Sequence, residues 1–427
     1  MNKIKNVTIE KLWGIKTIST DFYENVNIFI GSNGSSKTTF LQLIEAALLL
    51  DINILSEITF EKMIIIFYGD EENTIIVEKK VLGDNPLLIY SFSDATAFEL
   101  PCSEYILQRS YRMHIKHRES YELLKNKLDD LVNISWLSVN RDNTNFQDFD
   151  RRDAIDRIKN MIDLKLVELT KGLMFYQLQL ESETNKLANK FKEDTLSLML
   201  YNADIDYYNA ENITQFQSVK PDQMKSDLFK AFKTLGVEKT KTESILKHTE
   251  KLTEVIQKIQ SNNQLQLNDI FPLALVKRTL DIISLSKKQE IENEKIFSFI
   301  NEFWKSLKSF MPAKEFFFNK ESNGELEIRL NNTVVNKISI IKLSSLSSGE
   351  KQLFILLSEA LLQKTANHLF IADEPELSLH IDWQRKILGE LLKLNPNAQI
   401  IVATHSPEIA SAFPNNIINM KNIIRYE

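Results

Sequence analysis

The tightest local constraint on this chain is the run Gly31-Ser-Asn-Gly-Ser-Ser-Lys-Thr38. The apolar Val26-Asn-Ile-Phe-Ile30 leads into it, and Phe40, Leu43, Ile44, Ala47 and Leu48 follow at three- and four-residue spacings. A strand, a glycine-bearing turn and a helix in that order gather backbone N–H groups at a helix N-terminus, which is a cradle for phosphate. The chain has only 10 glycines in 427 residues, so two in one such turn are hard to ascribe to composition. In this reading Asn33, Gly34, Ser35, Ser36, Lys37, Thr38 and Thr39 surround the phosphates. Lys37 bridges the outer phosphates and the Thr38 hydroxyl faces Mg²⁺. One position departs from the usual pattern, because Ser36 stands where a glycine normally precedes the lysine. A side chain there crowds the approach of backbone to phosphate, or is tolerated if the local φ is negative.

Three further clusters have the chemistry to complete such a site. Asn367-His-Leu-Phe-Ile-Ala-Asp-Glu374 is a buried-type strand ending in two acids. Asp373 is suited to hold the metal and Glu374 to orient and polarise an attacking water. Apolar strands also end in Asp for ordinary turn reasons, but Pro375-Glu376 and Leu377-Ser-Leu-His380 behind the pair favour chemistry. Ile400-Ile-Val-Ala-Thr-His405-Ser-Pro delivers a histidine to the carboxyl end of another strand, where ligands sit in open α/β sheets. Leu346-Ser-Ser-Gly-Glu-Lys-Gln352 opens a helix, so Ser347, Ser348, Gly349 and Glu350 form either an anion site or a simple cap. Its co-occurrence with the other clusters tips the reading toward the anion site.

The bulk numbers narrow the setting. A formal net charge of −6 excludes a chain-wide nucleic-acid footprint, so any such contact must be local. The best local candidate is Arg109-Ser-Tyr-Arg-Met-His-Ile-Lys-His-Arg118, with Tyr111 interleaved, although most charge runs are solvated faces. Arg151-Arg152 is a lesser one. A lone Cys102 leaves no internal disulfide and suits a reducing compartment. The start has no apolar signal core, and the greasy run Phe40–Leu55 is broken by Gln42, Glu45 and Asp51. The expectation is a soluble cytoplasmic protein with no membrane segment.

Strand patterns mark Ile4–Ile9, Val26–Ile30, Met63–Phe67, Thr74–Val81, Ile134–Val139, Glu315–Phe318 and Leu326–Leu330, with a turn near Trp13-Gly14 and another at Asn323-Gly324. Between about 150 and 310 the character changes. Glycine is confined to Gly172 and Gly236, and Ile155, Ile158, Ile162, Leu166, Leu169 and Leu173 recur at helical spacing. The expected organisation is a head built from residues 1–150 and 311–427, interrupted by a helical insertion over 151–310, with two antiparallel arms as one arrangement of it.

Together GSNGSSKT, LSSGEKQ, DEPELSLH and ATHSP resemble the ABC-type AAA ATPases of the Rad50/SMC/RecF group. More narrowly they resemble the prokaryotic anti-phage defence ATPases of the PARIS and Septu systems, and the ATPase half of OLD nucleases. The motifs cover residues 1–50 and 340–410. The resemblance implies an α/β fold: an ABC-ATPase head of mixed β-sheets with flanking helices and a P-loop, interrupted by a coiled-coil-like helical insertion. It implies ATP and Mg²⁺ as cofactors, Lys37 and Thr38 as phosphate and metal ligands, and Asp373 as the Walker B acid. Glu374 is then the catalytic base and His405 the switch histidine. Ser348 and Gly349 reach the γ-phosphate of another subunit's ATP, and the Ser378 loop lies at the subunit interface. Gln147 is the choice for the Q-loop glutamine, with Gln108 its competitor. Trp13 either stacks on adenine or belongs to the core.

The function so implied is slow ATP hydrolysis coupled to head-to-tail homodimerisation, or to higher assembly. Such a protein is a sensor or scaffold for a separate effector, a nuclease of Toprim or HNH type, triggered by nucleic acid or a phage protein. No nuclease cluster stands out in the chain itself. Two other readings compete: a RecF- or SMC-like DNA-binding ATPase of repair, and an ATP-binding module in which Ser36 has disabled turnover.

Overall fold

The computed structural model describes residues 3–69, 73–82, 85–102, 111–136, 151–200, 215–236, 242–261, 266–319, 325–332, 337–363 and 367–426. The chain forms two compact units, one of residues 1–174 with 302–427 and one of residues 175–301.

In the first unit the elements begin with β1 (Ile4–Leu12), β2 (Lys16–Asp21), β3 (Val26–Ile30), α1 (Lys37–Leu49) and α2 (Ile52–Glu57). They continue through β4 (Lys62–Phe67), β5 (Thr74–Leu82), β6 (Asn85–Phe92), β7 (Ala97–Pro101), α3 (Tyr111–Leu131) and β8 (Asn133–Trp136). The helix α4 (Arg151–Ser197) runs on into the second unit. There α5 (Pro221–Thr234) and α6 (Thr242–Gln260) precede α7 (Leu267–Phe310), which returns the chain to the first unit. Strands β9 (Lys314–Asn319), β10 (Glu325–Asn332) and β11 (Lys337–Lys342) follow, then α8 (Ser348–Gln363), β12 (His368–Asp373), α9 (Ile381–Leu394) and β13 (Gln399–Ala403). The chain closes through α10 (Pro407–Ala412), β14 (Ile417–Asn419) and β15 (Ile424–Tyr426).

The strands sort by their sequence pattern. β1 buries Ile4, Val7, Ile9 and Leu12, its alternation interrupted by register shifts near either end, and it lies in an antiparallel sheet ordered β15-β2-β1-β4-β5-β6-β7. β3, β12 and β13 are near-continuous apolar runs, as strands covered on both faces must be. They lie in a parallel sheet ordered β14-β3-β13-β12-β8, which places the strand before the glycine turn directly beside the strand that ends at the histidine. A smaller antiparallel sheet, β11-β10-β9, is formed between α7 and α8. The chain is thus an α/β head of mixed sheets with flanking helices, interrupted by a helical insertion.

One hydrophobic core draws residues from both larger sheets, with Phe22, Phe29 and Phe40 packed ring to ring at centroid distances of 5.4–6.4 Å. The side chain of Gln399, fully buried in β13, staples the sheets. Its Oε1 accepts from the Ile4 N–H at 2.7 Å, and its Nε2 donates to the carbonyls of Ile4 and Tyr23, both at 2.8 Å. A buried amide is tolerable only when its polar atoms are matched in this way.

The start of α4 packs on α8. Leu166, Leu169 and Leu173 are buried, Lys351 Nζ meets Asp163 Oδ1 at 2.7 Å, and Lys165 Nζ meets Glu359 Oε1 at 2.8 Å. A Cβ at Gly172 would stand 2.8 Å from a methyl of Leu362, so the glycine permits the close helix crossing. The helical unit has its own core, including Leu228, Leu252, Val255, Ile256 and Val276. Among the described residues no helix is long and apolar enough to cross a membrane. The strands β2, β6, β7, β11, β14 and β15 have no counterpart among the strand runs read from the sequence, and the Asn323-Gly324 turn lies outside the described residues.

Candidate active site

The glycine-bearing turn begins where β3 ends. A Cβ at Gly31 would stand 2.6 Å from Ser35 Oγ, so a side chain there would require the serine hydroxyl to turn away. Gly34 is at φ +76° in open space. Ser36 is at φ 68°, ψ 14°, so the negative φ that would have excused its side chain is not what the chain adopts. A left-handed conformation costs a residue with a Cβ about 1–2 kcal/mol. Ser36 also carries the cap position of α1 without a side-chain hydrogen bond to the helix; Phe40 N–H donates to its carbonyl at 2.9 Å.

Lys37 and Thr38, in the first turn of α1, then point at the ends of the neighbouring parallel strands. Lys37 Nζ donates to the Gly31 carbonyl at 2.9 Å and lies 2.9 Å from His405 Nε2. An ammonium has only donors, so opposite a charged Lys37 the imidazole serves as acceptor through Nε2. Burial lowers the affinity of Lys37 for its proton; Asp373, Glu374 and Glu376 act in the opposite direction. Thr38 Oγ1 donates to Asp373 Oδ2 at 2.8 Å. Asn33 is exposed, Thr39 is half-buried, and Ser35 Oγ is buried with no hydrogen-bond partner among the described residues.

Glu374 follows Asp373 at φ 51°, a left-handed turn for a non-glycine residue at the end of β12. Its N–H donates to the Ala403 carbonyl at 2.8 Å, which extends the β12–β13 pairing by one bond and holds the turn. A buried lysine, a hydroxyl, an Asp-Glu pair and a histidine thus converge from β3–α1, β12 and β13. The oxygens of Thr38 and Asp373 are hard donors of the kind Mg²⁺ takes alongside phosphate oxygens, and the unmatched Ser35 hydroxyl faces the same turn. These residues fit ATP and Mg²⁺.

The 346–352 segment makes its own set of contacts. Ser347 N–H donates to Glu350 Oε2 at 3.0 Å, Glu350 N–H returns to Ser347 Oγ at 3.4 Å, and Lys314 pairs with Glu350. This is a reciprocal capping box, so the helix-cap alternative is realised for Ser347 and Glu350. Ser348 stays exposed, and Gly349 is buried where a Cβ would stand 2.1 Å from the Ser378 carbonyl oxygen. Ser378 itself is exposed at φ 70°, and Gln352 Nε2 donates to the Pro375 carbonyl at 3.1 Å.

Of the remaining sequence candidates, Gln147, Gln108 and Arg109 lie outside the described residues. Arg118 is exposed and pairs with Glu122 one helical turn on. Trp13 is 44% exposed, which removes the core alternative. Lys16 links it to the turn, with Nζ 5.0 Å from the Trp13 ring centroid and 3.4 Å from Ser36 Oγ. Sequence reasoning gave no role to Lys16, Gln384 or Gln399, and none of its own to Glu376. Only the Pro375-Glu376 pair after the two acids hinted at the last of these.

Fold and site together define a P-loop nucleotide-binding head of the ABC type. The chain belongs to the AAA ATPase domain family, whose model matches residues 2–410. Among curated proteins it is 32% identical over 108 residues to the retron Vc95 probable ATPase of Vibrio cholerae, covering 23% of this chain and 21% of that one. It is 28% identical over 146 residues to the retron Ec83 probable ATPase of Escherichia coli, covering 31% and 27%. The matched segments therefore span about a quarter of those relatives' lengths. Among solved structures, it has a distant likeness to the SMC head domain with a coiled coil and joint from Pyrococcus yayanosii, at 16% identity and TM-score 0.37 over all of this chain and 97% of that one. A second is the SMC head with an extended coiled coil from Pyrococcus furiosus, bound to the C-terminal domain of ScpA, at 15% identity and TM-score 0.40 over 100% and 96%.

Proposed function

We propose that this chain hydrolyses ATP with Mg²⁺ at composite sites shared between copies, and that this cycle regulates a separate effector protein. The observation that carries the reading is the convergence of Lys37, Thr38, Asp373, Glu374 and His405. The 346–352 segment, by contrast, bonds to residues 314 and 375 and to α4.

In this reading Lys37 exchanges Gly31 and His405 for phosphate oxygens, and the N–H groups of 33–39 wrap the β-phosphate. Thr38 and Asp373 hold Mg²⁺, which neutralises charge on the β- and γ-phosphates when bound. Glu374 orients the attacking water and His405 hydrogen-bonds the γ-phosphate or that water. Trp13 offers a face for adenine. Ser348 and Gly349 serve the nucleotide of an opposing copy, so head-to-tail dimers or higher homo-oligomers are the active form. Residues 1–150 and 311–427 make the head, and 151–310 the insertion that transmits its state. The retron relatives and the motif resemblance favour a cytoplasmic anti-phage defence role with a nuclease effector and a nucleic-acid or phage-protein trigger. The left-handed Ser36 favours slow turnover.

Phosphate release should depend on Mg²⁺ and fall by ~10²-fold or more in Lys37→Ala. Glu374→Gln with ATP should run as a dimer or larger species in native mass spectrometry. Equal phosphate release from wild type and Lys37→Ala, together with a monomeric Glu374→Gln, would refute the proposal and leave a nucleotide-binding module.

A further inference from the structure

The proposed chemistry needs His405 in one place, yet its imidazole is the exposed member of its loop. What holds the loop is Glu376. One oxygen of its carboxylate, Oε1, accepts from Thr404 Oγ1 at 2.6 Å, from the His405 N–H at 2.9 Å and from the Ser406 N–H at 3.1 Å. The other oxygen is buried with no hydrogen-bond partner among the described residues. Thr404 and Ser406, on either side of the histidine, are 1% and 9% exposed.

A second set of bonds fixes the same loop from the side. Ser406 Oγ donates to Gln384 Oε1 at 2.7 Å and accepts the Glu408 and Ile409 N–H groups that open α10. Gln384 Nε2 in turn donates to the Leu379 carbonyl at 2.9 Å. The turn after Asp373-Glu374 and the turn carrying His405 are thereby joined. We infer that Glu376 is a positioning residue: by gathering the donors of 404–406 on one oxygen, it sets the backbone from which His405 reaches the Lys37 side and the γ-phosphate. The inference rests on the proposed role of His405 in hydrolysis.

The carboxylate does this as an acceptor. Without it, two backbone N–H groups and a hydroxyl lose their partner together, and the loop must rearrange to find another. A glutamine keeps an acceptor oxygen at the same reach, whereas alanine keeps none. Misplacing a reacting group by about 1 Å can cost ~10²-fold in rate.

The experiment pairs steady-state ATP hydrolysis with imidazole NMR of the nucleotide-free full chain, the His405 signal being assigned by its loss in His405→Ala. Glu376→Ala should lower kcat by ~10- to 100-fold with KM unchanged within about threefold, and Glu376→Gln should restore most of kcat. The double variant Glu376→Ala/His405→Ala should be no slower than His405→Ala, because one residue acts through the other. The His405 signal should move in Glu376→Ala and stay near its wild-type position in Glu376→Gln. Wild-type kcat in Glu376→Ala, additive losses in the double variant, or an unmoved His405 signal would each overturn the inference. Thr404→Val deletes one donor to the same oxygen and keeps the test alive if Glu376→Ala does not fold; it should shift the same signal and lower kcat less. Should wild type show no Lys37-dependent hydrolysis, the functional reading fails while the NMR comparison still decides whether Glu376 places His405.

Discussion

The two turns proposed to meet phosphate, 31–38 and 346–352, treat glycine in opposite ways. In the first, the backbone at 34 and 36 is left-handed, and one of those positions carries serine. In the second, Gly349 has no such dihedral; it is glycine because the Ser378 carbonyl leaves no space for a Cβ. One turn asks for conformational freedom and partly forgoes it, and the other asks for room. Strain at Ser36 is local and tolerable, whereas a side chain at Gly349 would push apart α8 and the loop after Asp373-Glu374.

The scaffold shared by both turns provides the largest expected effect. His368 opens β12 at 4% exposure, and burial pushes its imidazole down to about 4 from an ordinary value near 6.5. The unfolded chain takes up a proton there that the folded chain refuses. Stability should be fully present above about pH 6.5 and fall by of order 3 kcal/mol as the pH drops toward 4. Denaturant titrations at several pH values should show this slope for wild type and a shallower one for His368→Leu. An equal slope in both would remove His368 from the account.

Gly349→Ala comes next. It should lose about 1–3 kcal/mol through overpacking against the backbone and depress hydrolysis, while nucleotide binding at Lys37 of the same chain survives. Gly34→Ala should cost about 1 kcal/mol from its φ alone, because nothing lies in its way. The smallest effect is Ser36→Gly, with the opposite sign: relief of the left-handed serine, offset by a freer unfolded chain, should leave a gain of somewhat under ~1 kcal/mol. It should also raise phosphate release. Equal melting shifts for Gly349→Ala and Gly34→Ala would erase the distinction between room and dihedral.

Local pattern made much of this legible. The runs around Ile4–Ile9, Val26–Ile30, Met63–Phe67 and Thr74–Val81 are strands, the helix after Lys37 is a helix, and the apolar runs ending at Asp373 and before His405 lie side by side. What was not legible depends on contacts between distant segments. Three donors on Glu376 come from 28–30 residues away, and the partners of Gln399 lie 395 and 376 residues away. No periodicity signals such bonds. Short strands such as β14 and β15 exist through their neighbours β3 and β2, and their own sequence is too brief to announce them. At Ser36 the sequence flagged the right residue, but its backbone dihedral took the sign the side chain disfavours.

The strand order β14-β3-β13-β12-β8 also has a consequence for how the protein is born. Among the described residues β3 pairs with β13 and β14, strands made long after it, and Lys37 precedes its partner His405 by 368 residues. At ~5–20 residues per second the ribosome needs roughly half a minute to span that interval. Throughout it the nascent chain exposes a glycine turn and a lysine with neither the acids nor the histidine beside them. The site is therefore assembled only after residue 405 has emerged, so a chain truncated before His405 should be unable to consume nucleotide.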